Sequence, residues 1–76
     1  MSEQLPVLKA KEVVRMLEQA GFFIHHQTGS HVQMKHHEKR ELRITIPMHA
    51  GDLPKPVLRS ILKQAQLTVE ELNALR

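Results

Sequence analysis

The sequence predicts a two-layer α+β domain in the order α-β-β-β-α with a short C-terminal helix. Three observations carry that prediction: apolar residues at helical spacing near both ends, three β-rich runs lying consecutively between them, and connections short enough for a meander. Helices with one apolar face and a sheet with one apolar face bury those faces against each other, which makes two layers. Seventy-six residues supply one small core. The chain has no cysteine, so neither a disulfide nor a thiolate zinc site staples it.

Residues 1–8 carry Pro6 and no clear period and read as a loose lead-in, with 9–76 as a single domain. From Lys9 to Ala20, the residues Ala10, Val13, Val14, Leu17 and Ala20 repeat as i, i+3, i+4, i+7, i+10, one face of a helix. Gly21 ends it as a residue free to take positive φ. Lys9 stands where Ser, Thr, Asp or Asn would cap, so the first turn is expected to fray. Phe22–Gln27 is the first β-rich run, and Thr28-Gly29-Ser30 is a turn signal. In residues 31–37, alternation puts Val32, Met34 and His36 on one face and His31, Gln33, Lys35 and His37 on the other. In residues 42–46, Leu42, Ile44 and Ile46 alternate with Arg43 and Thr45. The stretch 47–54 is a loop by its Pro and Gly content. Lys55-Pro56 opens a second helix with Leu58, Ile61, Leu62 and Ala65 on one face. Thr68 and Glu71 form a capping box that starts the last helix.

Eleven Lys and Arg against eight Asp and Glu give a formal charge of +3, with six histidines besides. The acids gather at the ends (Glu3, Glu12, Glu18, Glu70, Glu71), leaving residues 24–63 basic. That middle suits a polyanion such as nucleic acid, although a mildly basic surface is also common in domains that bind none. The N-terminus has no basic-then-apolar leader, and no apolar run approaches the ~18 residues of a membrane span. These features predict a soluble cytoplasmic protein with no membrane partner.

His31 is the residue the chemistry turns on. An imidazole delivered by a glycine-serine turn to the start of a strand, among cations, is a candidate general base beside a phosphate. The alternative is a turn histidine that only hydrogen-bonds neighbouring backbone. His25-His26 and His36-His37 invite a metal, but alternation points the members of each pair to opposite faces, and no Asp or Cys stands at ligand spacing. Lys55, Arg59 and Lys63 form a basic stripe along the second helix, either an RNA track or a solvated face. Phe22 and Phe23 are the only Phe, Tyr or Trp residues. With one in the core no stacking platform is expected, and sequence preference should be weak.

The predicted layers are those of the double-stranded RNA-binding fold, which reads RNA by shape, phosphate and 2′-OH. Four stretches, Leu17-Glu18-Gln19-Ala20-Gly21-Phe22, Gln27-Thr28-Gly29-Ser30-His31, Ile46-Pro47-Met48-His49 and Leu58-Arg59-Ser60-Ile61-Leu62-Lys63-Gln64-Ala65, resemble the HicA-type toxins of toxin-antitoxin pairs. The resemblance spans residues 9–72. It implies a double-stranded RNA-binding-like fold and an mRNA interferase, an endoribonuclease silenced by a HicB-type antitoxin, with the family's catalytic histidine at His31. Three departures stand out: Lys9 at the cap, the loop 51–57 with no glycine directly before the helix, and Gln66 where a glycine usually follows it.

The chemistry expected of such a site is economical. RNA carries its own nucleophile, so the protein needs a base for the 2′-OH, alignment, and charge against the phosphate, and no metal or other cofactor. Gly29 and the Ser30 turn would let backbone approach the phosphate, and Lys35, about one pleat along, would add positive charge. His49 is the candidate general acid or phosphate ligand, the bland alternative being a solvated loop histidine. Lys55 and Arg59 would track the RNA backbone. Two other classes compete: a non-catalytic RNA-binding module, and a protein-interaction domain whose basic face serves an acidic partner.

Overall fold

The apolar spacing along residues 9–20 produces α1, Ala10–Gln19, in the computed structural model of the chain, which describes residues 4–49 and 51–76. Residues 1–3 of the lead-in and position 50 of the loop 47–54 lie outside the described residues. Met16 joins Ala10, Val13, Val14 and Leu17 in the buried stripe. The first turn does not fray. Lys9 takes the N-cap position with extended backbone, its N–H donates to Glu12 Oε1 at 2.9 Å, and it pairs with Asp52 in a one-residue antiparallel bridge. A lysine side chain has no acceptor, so the glutamate three residues on supplies the cap. The lead-in is not loose at its end either. Leu53 N–H donates to Leu8 O at 2.8 Å, and both leucines are buried.

Gly21 turns the chain with φ +100°, and a Cβ there would lie 2.7 Å from His36 Nε2. Both the backbone and the crowding demand glycine. The strands β1 (Phe22–Gln27), β2 (His31–His36) and β3 (Arg43–Pro47) follow as an antiparallel meander in the order β1-β2-β3. Register pairs Val32 with Ile46 and Met34 with Ile44, and all four side chains are buried beneath the helices. On the other face stand His31, Gln33, Lys35, Arg43 and Thr45. Between Ile24 and His26 the β1–β2 register shifts by one residue, a bulge at His25.

The second amphipathic stretch forms α2, Lys55–Ala65, with Pro56 in its first turn, and it buries Leu58, Ile61, Leu62 and Ala65. It ends in a left-handed residue, Gln66, at φ 57° and ψ 41°. Gln66 N–H donates to Lys63 O at 3.2 Å and Leu67 N–H to Leu62 O at 3.0 Å, the bond pair of a Schellman turn. Glutamine thus adopts the conformation for which glycine is usual. The last helix, α3 (Val69–Ala74), starts with the expected box: Glu71 N–H donates to Thr68 Oγ1 at 3.0 Å and Thr68 N–H to Glu71 Oε1 at 2.9 Å. Leu72 from α3 joins both longer helices and the sheet in one core. Among the described residues no helix is long and apolar enough to cross a membrane.

Candidate active site

Thr28, Gly29, Ser30 and His31 turn β1 into β2. Thr28 N–H donates to His31 O at 2.9 Å, and His31 N–H donates to Thr28 Oγ1 at 3.2 Å. A threonine hydroxyl so placed substitutes for a backbone acceptor and fixes the turn locally. Gly29 has no left-handed φ and has open space where a Cβ would sit. Its contribution is therefore the room it leaves beside the turn. Ser30 O accepts from Met48 N–H at 2.7 Å, which ties the loop after β3 to the turn.

The His31 ring is exposed, and its Nδ1 lies 2.9 Å from Ser30 Oγ. A hydroxyl both donates and accepts. Ser30 therefore supports the imidazole with Nδ1 protonated and the Nε2 lone pair free, and equally the imidazolium that follows proton uptake. His31 heads a shallow groove of about 340 Å³ between the sheet and α2, whose far wall includes Pro56, Val57, Ser60 and Gln64. Gln64 is fixed there: its Oε1 accepts from Thr45 N–H at 3.0 Å, and its Nε2 donates to Ser60 O and Ser60 Oγ, both at 3.2 Å. Ser60 and Gln64 escaped the sequence reading. Their signal was a polar pair at i and i+4 bordering the apolar stripe of α2.

Two residues expected near His31, Lys35 and His49, stand farther off. Lys35 shares its face but pairs with Arg43, while His31 pairs with Pro47. The two are four residues apart, about 13 Å along a strand, twice the separation expected from the sequence. His49 lines a different cleft, of about 630 Å³, with Lys9, Lys11, Glu12 and Arg15. The described linings of the two cavities have no residue in common. Lys55 and Arg59 are exposed on α2, but neither lines the His31 groove. At 100° per residue they face about a quarter-turn or more from Ser60 and Gln64.

The remaining histidines divide by role. His36 is half-buried and fully engaged: Nδ1 accepts the N–H groups of Glu38 and Lys39, both at 3.0 Å, and Nε2 donates to Ala20 O at 3.0 Å. Its ring meets Phe22 edge-on at 4.8 Å. His37 leans on Phe23 with ring centroids 4.5 Å apart. The sheet face thus carries an aromatic pair, contrary to the expectation of no platform, because the second phenylalanine is turned away from the helices. Among the described residues no group of three or more His, Cys, Asp or Glu is placed to hold a metal ion.

Fold and site together define a small α-β-β-β-α domain that presents a turn histidine and a cationic sheet face. A family model described as HicA toxin of bacterial toxin-antitoxin matches residues 10–67. The chain belongs to that family, and with it to the toxins of toxin-antitoxin pairs, which implies an antitoxin partner. No curated protein matches the chain.

Proposed function

We propose that this chain is a metal-independent endoribonuclease, an mRNA-cleaving toxin in which His31 activates the RNA 2′-OH. The observation that carries the reading is the setting of the imidazole. It stands exposed at the head of a groove, Nδ1 is held by Ser30, and among the described residues Nε2 makes no hydrogen bond to the protein. Nε2 takes the proton of the 2′-OH, the 2′-oxygen attacks the adjacent phosphorus, and the bond to the 5′-oxygen breaks. The products are a 2′,3′-cyclic phosphate and a 5′-OH. With His49 in a separate cleft, solvent protonates the leaving oxygen, and turnover is slow.

The cations divide the binding work. Backbone N–H groups around Gly29 and Ser30 meet the reacting phosphate. His49, beside Lys9 and Arg15, offers a further phosphate contact, and Lys55 and Arg59 add long-range attraction along α2. A HicB-type antitoxin silences the toxin in the cytoplasm by covering His31. The test is cleavage of a long single-stranded RNA in EDTA by the chain and by His31→Ala, with binding followed in parallel. Cutting by the first, and binding without cutting by the second, is the expected result. If both bind and neither cuts, the enzyme reading is wrong and the domain is an RNA-binding module.

A further inference from the structure

Three depressions run end to end along the open face of the sheet. The groove that holds His31 shares Thr45 with a second, lined by His25, Gln33, Lys35 and Arg43 among others. The second shares His25 and Lys35 with a third, which adds Phe23, His37 and Arg40. Strand register explains the continuity. Phe23, Lys35 and Arg43 form one row across the strands, Gln33 and Thr45 belong to the next, and His31 and Pro47 to the last.

The far end of this track is unlike an ordinary solvated surface. Phe23 is half-exposed and leans on His37 at an interplanar angle of 32°. Lys35 and Arg40 line the same depression as the two rings, and Arg43 lines the adjoining one. Among the described residues none of these three cations is engaged in an ion pair, and no acid lines any of the three depressions. A π-faced floor inside a rim of uncompensated cations suits a chain that alternates flat bases with phosphates. An acidic protein segment would match the cations but make no use of the rings.

We propose that the open sheet face is a second subsite for single-stranded RNA. An unpaired base stacks on the Phe23–His37 pair, the neighbouring phosphates meet Lys35, Arg40 and Arg43, and the continuing strand reaches His31. This rests on the RNA-cleaving reading above and adds where the substrate is held beyond its reacting phosphate. The subsite accepts any unpaired base and rejects a duplex, whose bases have no free face.

The test uses the full chain carrying His31→Ala, with a labelled oligoadenylate followed by fluorescence anisotropy, beside cleavage of a long RNA by the chain with His31 intact. Phe23→Leu keeps apolar bulk and removes the ring, and His37→Ala alters an exposed side chain, so one informative variant folds. Each weakens oligoadenylate binding about tenfold, the scale of one lost base stack. Lys35→Gln with Arg43→Gln flattens the salt dependence by roughly 0.7 per phosphate contact removed. In cleavage the loss falls on KM more than on kcat. Unchanged binding and KM in both ring variants, with cutting intact, overturn the subsite and leave the ribonuclease reading standing. Ring-dependent binding with no cutting by the parent chain supports the subsite and overturns the ribonuclease reading. Polyglutamate bound as tightly as oligoadenylate, with the same ring dependence, overturns the RNA assignment in favour of an acidic protein.

Discussion

Replacing Gly21 by alanine is expected to destabilise the fold by about 2 to 5 kcal/mol, and removing the His36 ring in the same chain should recover part of that loss. Two separate effects make up the figure. The backbone at Gly21 has φ +100°, and a side chain there costs about 1 to 2 kcal/mol. The added Cβ would also lie 2.7 Å from His36 Nε2 and 3.1 Å from Cε1. The ring has little freedom to retreat, because its hydrogen bonds to Ala20 O, Glu38 N–H and Lys39 N–H hold it on both nitrogens. Displacing it forfeits one to three bonds of about 1 kcal/mol each. His36→Ala alone loses the same bonds and the edge contact with Phe22, about 2 to 4 kcal/mol. In the double variant the steric conflict is gone while the backbone strain remains. The two changes should therefore sum to about 1 to 3 kcal/mol less than their separate effects. Urea unfolding followed by far-UV circular dichroism measures all three variants, each with its own slope. For a chain of 76 residues, total stability is roughly 4 to 11 kcal/mol, so the singles remain measurable at low temperature. Additivity within about 0.5 kcal/mol would refute the argument, reducing Gly21 to a requirement of φ alone.

Two further outcomes follow from other contacts. Gln66→Gly should raise stability by about 0.5 to 1 kcal/mol, because relief of left-handed strain exceeds the entropy that glycine adds to the unfolded chain; an unchanged or lower urea midpoint would contradict this. Ser30→Ala should leave the melting curve intact and lower kcat of RNA cleavage about tenfold, with Ser30→Thr restoring most of it, since the hydroxyl at His31 Nδ1 is worth about 1 to 1.5 kcal/mol. Full activity in Ser30→Ala would show that the imidazole needs no support from its neighbour.

The elements were legible because each carries a strong local signal. Helical spacing located α1 and α2, strict alternation located β3, and Thr68 with Glu71 marked the start of α3 within a residue. What escaped depended on contacts between distant parts of the chain. Leu8 looked like lead-in because its partner, Leu53, lies across a loop. Lys9 looked like a poor cap because the acceptor comes from Glu12 rather than from its own side chain. The same limit applied to the site. His31 was visible as a turn histidine at a strand start, but Lys35 was placed too close to it by counting faces and not residues. His49 was drawn toward it by loop proximity, whereas the structure seats it with Lys9 and Arg15. Ser60 and Gln64 form a wall only once α2 packs against β3. Phe23 and His37 look unremarkable until strand register brings their rings together.

The bond from Thr45 N–H to Gln64 bears on how this sheet meets other molecules. Of the three outward positions on β3, Arg43, Thr45 and Pro47, proline has no N–H to offer and the Thr45 amide is already taken. A stranger strand approaching that border finds one free amide in three. On the opposite border the bulge at His25 breaks the even spacing that strand addition requires. Both borders are therefore poor templates for sideways growth, so what associates with the sheet reads side chains on its face more readily than it lengthens the ladder, and crowded copies find little shared seam along which to fuse.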